Sequence, residues 1–314
     1  MQAGENRDHD DRIEPPRFEL GLNSFGEVAT DGGRVLGDDE TVRLLVEEAR
    51  LAEAAGVDVF SVGEHYREGH NDSATPVLLA AIATATRRIG LGTSVTVLST
   101  NDPVRLYQQF STLDAVSGGR AQIVLGRASA AESFPLFGYD LADYERLFEE
   151  KLDLFLRLER EEEVTWSGTV RTPLTGQRLH PRMRPGGIPT WIGVGGSPDS
   201  VLRAARHGLP LMMAIIGGRP QRFARNVELY LTALETLRPP RAADRPALAR
   251  SRRGHRRAGR GDLVAVLAAR RPGAGGRARL LRAGPPAVRS RAGARRALRR
   301  IAGDGRPQDR PDGP

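Results

Sequence analysis

The chain contains no cysteine. A disulfide framework and a thiolate metal site are therefore both excluded. Aromatic residues make up only 5 % of the 314 positions, none follows Tyr230, and no glutamate follows Glu235. A surface that stacks nucleic-acid bases needs interleaved aromatics, and the C-terminal stretch has none. No apolar run is long and uncharged enough to cross a bilayer. Residues 1–17 are polar, charged and Pro-containing, without the apolar core of a signal peptide. The expectation is a cytoplasmic protein with no membrane contact and a disordered segment over residues 1–17. His70, His180 and His207 show no ligand spacing, so no metal site is expected.

Charge is distributed unevenly. The formal net charge is +8, but residues 241–314 hold 21 Arg, no Lys and 5 Asp, a net +16. Residues 1–240 hold 26 basic and 34 acidic groups, a net −8. Two kinds of sequence thus meet near Pro239-Pro240. This division predicts a folded domain over residues 18–240, large enough to bury a sizeable core, and a separate Arg-rich tail over residues 241–314.

What is present is organised around residues 88–127. Residues 89–97 are aliphatic, β-branched and uncharged, as a strand buried on both faces of a parallel sheet would be. Asp102 then reads as a helix N-cap with Pro103 at the first helical position. Val104, Leu106, Tyr107, Phe110 and Leu113 give that helix an apolar face, and Gly118-Gly119 ends it. Residues 121–125 form a second buried strand that delivers Gly126 and Arg127 at its C-terminal end. This is a complete βαβ unit, and such strand ends are where α/β folds place their chemistry.

The same alternation extends in both directions. Residues 18–25 predict a first strand, and Asp38 or Asp39 is expected to cap a helix closed by Gly56. Residues 57–63 predict a second strand ending at Glu64-His65, and residues 74–86 an Ala-rich helix. Residues 139–163 predict a long helix with Leu141, Tyr144, Leu147, Phe148, Leu152 and Phe155 inward. Residues 164–189 read as an irregular or hairpin excursion. Strands follow at 190–194 and 209–216, with helices at 198–208 and 220–237. Six strand–helix units in succession argue for an α/β fold with a parallel sheet wound one way. A closed (β/α)8 TIM barrel is the leading choice, and an open doubly wound sheet the second. Two of eight strands are missing, and beyond residue 240 only residues 262–269 offer a plausible strand or helix.

His65 follows an acid at a strand end that lies at the mouth of a barrel. With a reference pKa of about 6.5, it can exchange a proton near neutrality. The plainer alternative is a loop histidine paired with Glu64. Gly195-Gly196-Ser197-Pro198 lies between an apolar strand and a helix, where free backbone N–H groups and the Ser197 hydroxyl can hold a phosphate. The plainer alternative is a tight turn. Arg127 could close that site from across the mouth, because a guanidinium pairs bidentately with phosphate, or it could pair with an acid such as Glu132. Phe134, Leu136 and Phe137 could shape a substrate pocket or belong to the core.

Several short motifs recur in a fixed order: Gly63-Glu64-His65, Gly92-Thr93-Ser94, Pro103-Val104-Arg105, Ser117-Gly118-Gly119-Arg120, Gly126-Arg127, Phe137-Gly138, Gly195-Gly196-Ser197-Pro198 and Gly208-Leu209-Pro210. Together they resemble the bacterial-luciferase-like flavin monooxygenases from Phe18 to about Leu237. The resemblance implies a (β/α)8 barrel that binds reduced FMN, supplied by a partner flavin reductase, or the deazaflavin F420 in related branches. It implies O2 and a small organic molecule as co-substrates, and commonly a homodimer. His65 matches the active-site histidine. Ser94-Val95 falls where the family often has a non-prolyl cis peptide beneath the flavin. Arg127, Gly195, Gly196, Ser197 and Ser200 match the phosphate site. Gly126 stands where luciferases proper have a cysteine, and Gly196 where they have an acid, so light emission is not expected.

Three readings compete for residues 241–314: a disordered nucleic-acid-binding tail, an inert linker, or the product of a shifted reading frame. Arg, Ala, Gly and Pro are what GC-rich DNA yields in the wrong frame. Permitted codons for residues 296–310, read one base later, can encode a strand, a Gly-Ser-Pro turn and a helix start like residues 196–201. The frameshift accounts for most of the composition and makes nucleic-acid binding the weaker reading. It also predicts an incomplete barrel, unstable or inactive because two strand edges stay open.

Overall fold

The computed structural model describes residues 19–127, 131–216 and 219–237, and the backbone of residues 263–266. The segments 1–17 and most of 241–314, on which the disorder and frameshift readings fall, lie outside the described residues.

Among the described residues seven parallel strands carry the fold: β1 (Gly21–Ser24), β2 (Val59–Val62), β3 (Gly90–Thr93), β4 (Ile123–Gly126), β5 (Thr190–Val194), β6 (Leu211–Ala214) and β7 (Leu263–Val266). Each pairs with the next in sequence. Gly21 lies opposite Val59, Val59 opposite Gly90, Thr190 opposite Ile123, Ile192 opposite Leu211, and Leu211 opposite Leu263. The β3–β4 step is looser: the Leu91–Ala121 bridge starts it and the short strand Thr96–Val97 completes it against Leu125 and Gly126. Strand order equal to chain order, with helical crossovers, is the winding of a TIM-type barrel. Among the described residues no strand closes β7 back onto β1. The open side shows at Leu20, just before β1, and Leu22 within it, both exposed.

Helices α1 (Asp38–Ala54), α2 (Thr75–Ala85), α3 (Pro103–Ser117), α4 (Tyr144–Arg160), α5 (Pro198–Arg206) and α6 (Ala224–Leu237) follow β1 to β6 in turn. Their apolar faces meet the outward faces of the strands in one core that includes Phe60, Phe110, Leu125, Phe155 and Ile192. Phe110 and Phe155 are fully buried. Truncating either to Ala costs roughly 3–5 kcal/mol. Asp102 caps α3 as the sequence predicts, accepting from the Val104 N–H at 2.9 Å and the Arg105 N–H at 3.1 Å, and Gly118 ends it in the left-handed conformation. The excursion at 164–189 contains the antiparallel hairpin of Val164–Trp166 with Leu174–Gln177.

Three local expectations need correction. Gly37, not Asp38 or Asp39, caps α1; Glu40 reaches back to the Gly37 N–H at 2.9 Å and the two aspartates sit in the first turn, where the helix dipole favours them. The strand expected over residues 89–97 is broken at Ser94-Val95, whose peptide bond is cis. The long helix starts at Tyr144, preceded by the 3₁₀ turn Leu141–Asp143, so Leu141 is exposed instead of inward. Beyond residue 240, the segment 262–269, read as a strand or a helix, holds the strand β7.

Candidate active site

Because every strand points the same way, the residues that follow β2, β3, β4 and β5 share one rim of the sheet. At the end of β2, Glu64 is buried. Its carboxylate accepts from Asn101 Nδ2 at 2.7 Å, from the Val97 N–H at 3.0 Å and, in a short contact, from the Tyr66 hydroxyl. Burial pushes its pKa above the ordinary carboxylate range, against those three donors. Glu64 therefore ties the β2 end to the β3 end, and the pairing of His65 with Glu64 weighed from sequence does not occur. The partner of His65 is Asp72: Nδ1 lies 2.7 Å from Asp72 Oδ2. Tyr66 meets Phe137 edge-on at 5.0 Å, joining the rim to the loop after β4.

Val95, just past the cis bond, is directed into the barrel, where it meets β4 and β5. A Cβ on Gly126 would fall 2.3 Å from Val95 Cγ2, and one on Gly193 would fall 2.6 Å from Val95 Cγ1. Both strands need glycine there for that reason. Ser94 donates its backbone N–H to the Val62 carbonyl at 2.9 Å.

Arg127 at the end of β4 and Ser200 in α5 are brought together, with Arg127 Nη2 donating to Ser200 Oγ at 2.8 Å. The other guanidinium arm makes a close ion pair with Glu145, and the group lies 4.8 Å from the Tyr144 ring centre. Glu132 is not its partner. Arg203, one turn beyond Ser200, is buried. It donates to Glu149 at 2.6 Å and Glu145 at 2.8 Å, with Nη1 3.5 Å from Ser200 Oγ. Ser197 is the N-cap of α5 without a side-chain cap bond, and a Cβ on Gly195 or Gly196 would meet nothing within 4 Å. The turn 195–197 thus faces open space at the start of the helix whose Ser200 Oγ meets both guanidiniums. That arrangement suits a phosphate group, because Glu145, the acid now shared by both arginines, is an exposed side chain able to swing away.

Of the residues singled out from sequence, Arg127 and Ser200 touch one another, whereas His65 and Val95 are held by separate contacts. Asp72, Tyr66, Asn101, Glu145 and Arg203 were not anticipated. Arg203 carried a signal, its spacing of three from Ser200 on a helix; Asp72, seven residues from His65 across a loop, carried none. Phe134 is buried, while Leu136 and Phe137 are exposed. Beside them a cavity of about 740 Å³ is lined by Phe134, Pro135, Gly138, Tyr139 and Leu141 among others. No metal-binding cluster occurs among the described residues, and no helix among them is long and apolar enough to cross a membrane.

The luciferase-like monooxygenase profile matches residues 19–267. The chain belongs to this family. The match runs past residue 240 and takes in β7. The chain is 31 % identical over 189 residues to the 4-hydroxyprotoasukamycin monooxygenase of Streptomyces nodosus subsp. asukaensis, covering 59 % of this chain and 51 % of that protein. It spans about half the length of the curated relatives it matches. In fold it is similar to the oxygenating constituent of 3,6-diketocamphane monooxygenase of Pseudomonas putida, solved with FMN, with a TM-score of 0.61 at 17 % identity over 71 % of this chain and 64 % of that one. An F420-dependent secondary alcohol dehydrogenase, solved with an F420–acetone adduct, is similar with a TM-score of 0.53 at 18 % identity over 68 % and 64 % of the two chains.

Proposed function

We propose that this chain is a flavin-dependent oxidoreductase, a monooxygenase that uses reduced FMN and O2 to oxidise a small organic substrate. The observation that carries the reading is the Arg127–Ser200 contact of 2.8 Å beside the open turn at Gly195-Gly196. Arg127, Ser197, Ser200 and the backbone of Gly195 and Gly196 would hold the cofactor phosphate, with Glu145 displaced and Arg203 adding charge from below. Reduced flavin, when bound, supplies the electrons that activate O2. Ser94 and Val95 would support the ring system from the β3 end. His65 would accept a proton at Nε2 near the reacting atoms and return it. Tyr66 and Phe137 would wall off the substrate side and exclude water.

The protein would act in the cytoplasm, receive its flavin from a separate reductase and pair as a homodimer. The similarity to an F420-dependent dehydrogenase keeps hydride transfer with F420 as the second reading. Anaerobic titration of the full chain with reduced FMN and with F420, each with and without inorganic phosphate, separates the two. Tighter, phosphate-competed binding of reduced FMN supports the first, and preference for F420 supports the second. Absence of both, with salt-sensitive DNA binding by the full chain, would favour a basic nucleic-acid-binding protein on an inactive barrel. For residues 241–314 outside β7, we read the Arg-rich composition as a shifted frame; resequencing the codons for residues 237–247 tests it, and an intact frame refutes it.

A further inference from the structure

The loop between β2 and α2 carries an acid that the phosphate site does not use. Asp72 is fully buried, and both carboxylate oxygens go to one residue: Oδ1 accepts the His65 backbone N–H at 3.1 Å, and Oδ2 lies 2.7 Å from His65 Nδ1. A buried carboxylate must be satisfied by donors, so His65 Nδ1 has to carry a proton. The surrounding backbone leaves room for this pair and little else. A Cβ on Gly63 would fall 2.7 Å from Asp72 Oδ2 and 2.9 Å from His65 Cε1. The Thr75 hydroxyl lies 2.5 Å from the Gly63 carbonyl and 2.8 Å from the Asp72 carbonyl, which joins the strand end to the loop. The His65 ring is flanked by the edge of Phe25 at 5.3 Å and by His70 at 4.8 Å. Nε2 has no hydrogen-bond partner among the described residues, and 13 % of the side chain remains exposed.

We propose that Asp72 is a positioning residue that fixes His65 as the Nδ1–H tautomer and presents a proton-free Nε2 to the reacting centre. Its effect on turnover rests on the role of His65 given above, while the tautomer does not. The ionisable neighbours are few. Asp72 faces Nδ1, His70 faces the ring with Arg67 3.2 Å from its own Nε2, and the adjacent Glu64 is engaged by Tyr66, Asn101 and Val97. None of these competes with Asp72 for the Nδ1 proton. An asparagine at position 72 replaces one accepting oxygen with an NH2 donor, so the positions now held by Oδ1 and Oδ2 can no longer both accept. Both contacts survive only if its oxygen takes the backbone N–H and its NH2 donates to an unprotonated Nδ1, which turns the ring to the Nε2–H form.

Long-range 1H–15N NMR of the 15N-histidine-labelled full chain, with His65 assigned through His65→Asn, reads the tautomer directly. The wild type is expected to show a protonated Nδ1 and an unprotonated Nε2 above neutral pH, and this readout needs no variant at position 72. Asp72→Asn is expected to shift the population to Nε2–H or a mixture and to lower kcat by about 10- to 100-fold, leaving the dissociation constant for reduced FMN within about twofold. A wild-type Nε2–H tautomer, or an Asp72→Asn tautomer unchanged from wild type, overturns the proposal. A switched tautomer with unchanged kcat removes the positioning role. His65→Asn turning over like the wild type refutes the catalytic reading of His65 instead, and the NMR result separates that failure from the others.

Discussion

The β2 end and the β4–α5 region each set a base against an acid, in opposite ways. At His65 the acid is Asp72, fully buried, with both oxygens committed to one partner. At Arg127 the acid is Glu145, whose side chain is 61 % exposed and divided between two guanidiniums. A buried acid admits one geometry, because losing its partner leaves an unpaired charge in a low-dielectric site. An exposed acid costs little to move, so water or another anion can replace it. The first arrangement suits a group that must point one way; the second suits a site that must open for a ligand phosphate. Between them Glu64 and Val95 brace the strand ends.

The largest expected effect tests the brace. Gly126→Cys places a side chain where Val95 already stands, since even a Cβ would lie 2.3 Å from Val95 Cγ2. Overpacking of this kind costs about 1–3 kcal/mol, and thermal unfolding should show a lower Tm for Gly126→Cys. Pairing it with Val95→Ala should restore much of the loss; no recovery would mean that Val95 is not the obstacle. The next effect lies at the arginine. Arg127→Ala should weaken binding of reduced FMN by about 10- to 100-fold and abolish competition by inorganic phosphate, while the His65 tautomer stays as in the wild type. Loss of the tautomer as well would show that the two regions are not separable.

A third prediction concerns Lys151, a buried amine of α4 that donates to the Ser99 carbonyl at 2.6 Å and lies 4.0 Å from the Tyr139 ring centre. Burial lowers its pKa from 10.5 to about 8. The folded chain then binds fewer protons than the unfolded chain between those two values. Stability from this group should therefore be flat below about pH 8, rise toward pH 10.5 and level off above it. Denaturant titrations of the wild type and Lys151→Met across that range test the point, and the rising arm should vanish in the variant. An identical arm in both would assign it to another group.

How much of this was legible beforehand follows the physics of each feature. Periodicity and end signals are local, so the succession of strands and helices could be read from residues such as Asp102, Pro103 and Gly118. Arg127 and Ser200 could be paired by resemblance, although 73 positions separate them. The competitor Glu145 could not, because ion pairs between elements leave no spacing pattern. Asp72 was invisible for the same reason: its identity as a partner depends on how a loop folds back over Gly63. Leu141 was misjudged because helical periodicity continued through a 3₁₀ turn that rotates the register. β7 was only half legible, since four apolar residues in an Arg-rich setting suit a strand or a helix equally.

The smallest expected effect is the one that bears most directly on the contrast between the two acids. Glu145→Gln removes the charge now shared by Arg127 and Arg203 but leaves Glu149 to hold Arg203 at 2.6 Å. If Glu145 only occupies the place of a ligand phosphate, its neutralisation should tighten reduced FMN and inorganic phosphate by about two- to fivefold, the scale of one exposed ion pair. The gain should shrink as salt is raised, because the pair is screened, and Tm should barely change. A weaker affinity would instead make Glu145 a structural partner that orients Arg127. The two acids would then differ in exposure alone, and the site would have to bind phosphate with Glu145 in place.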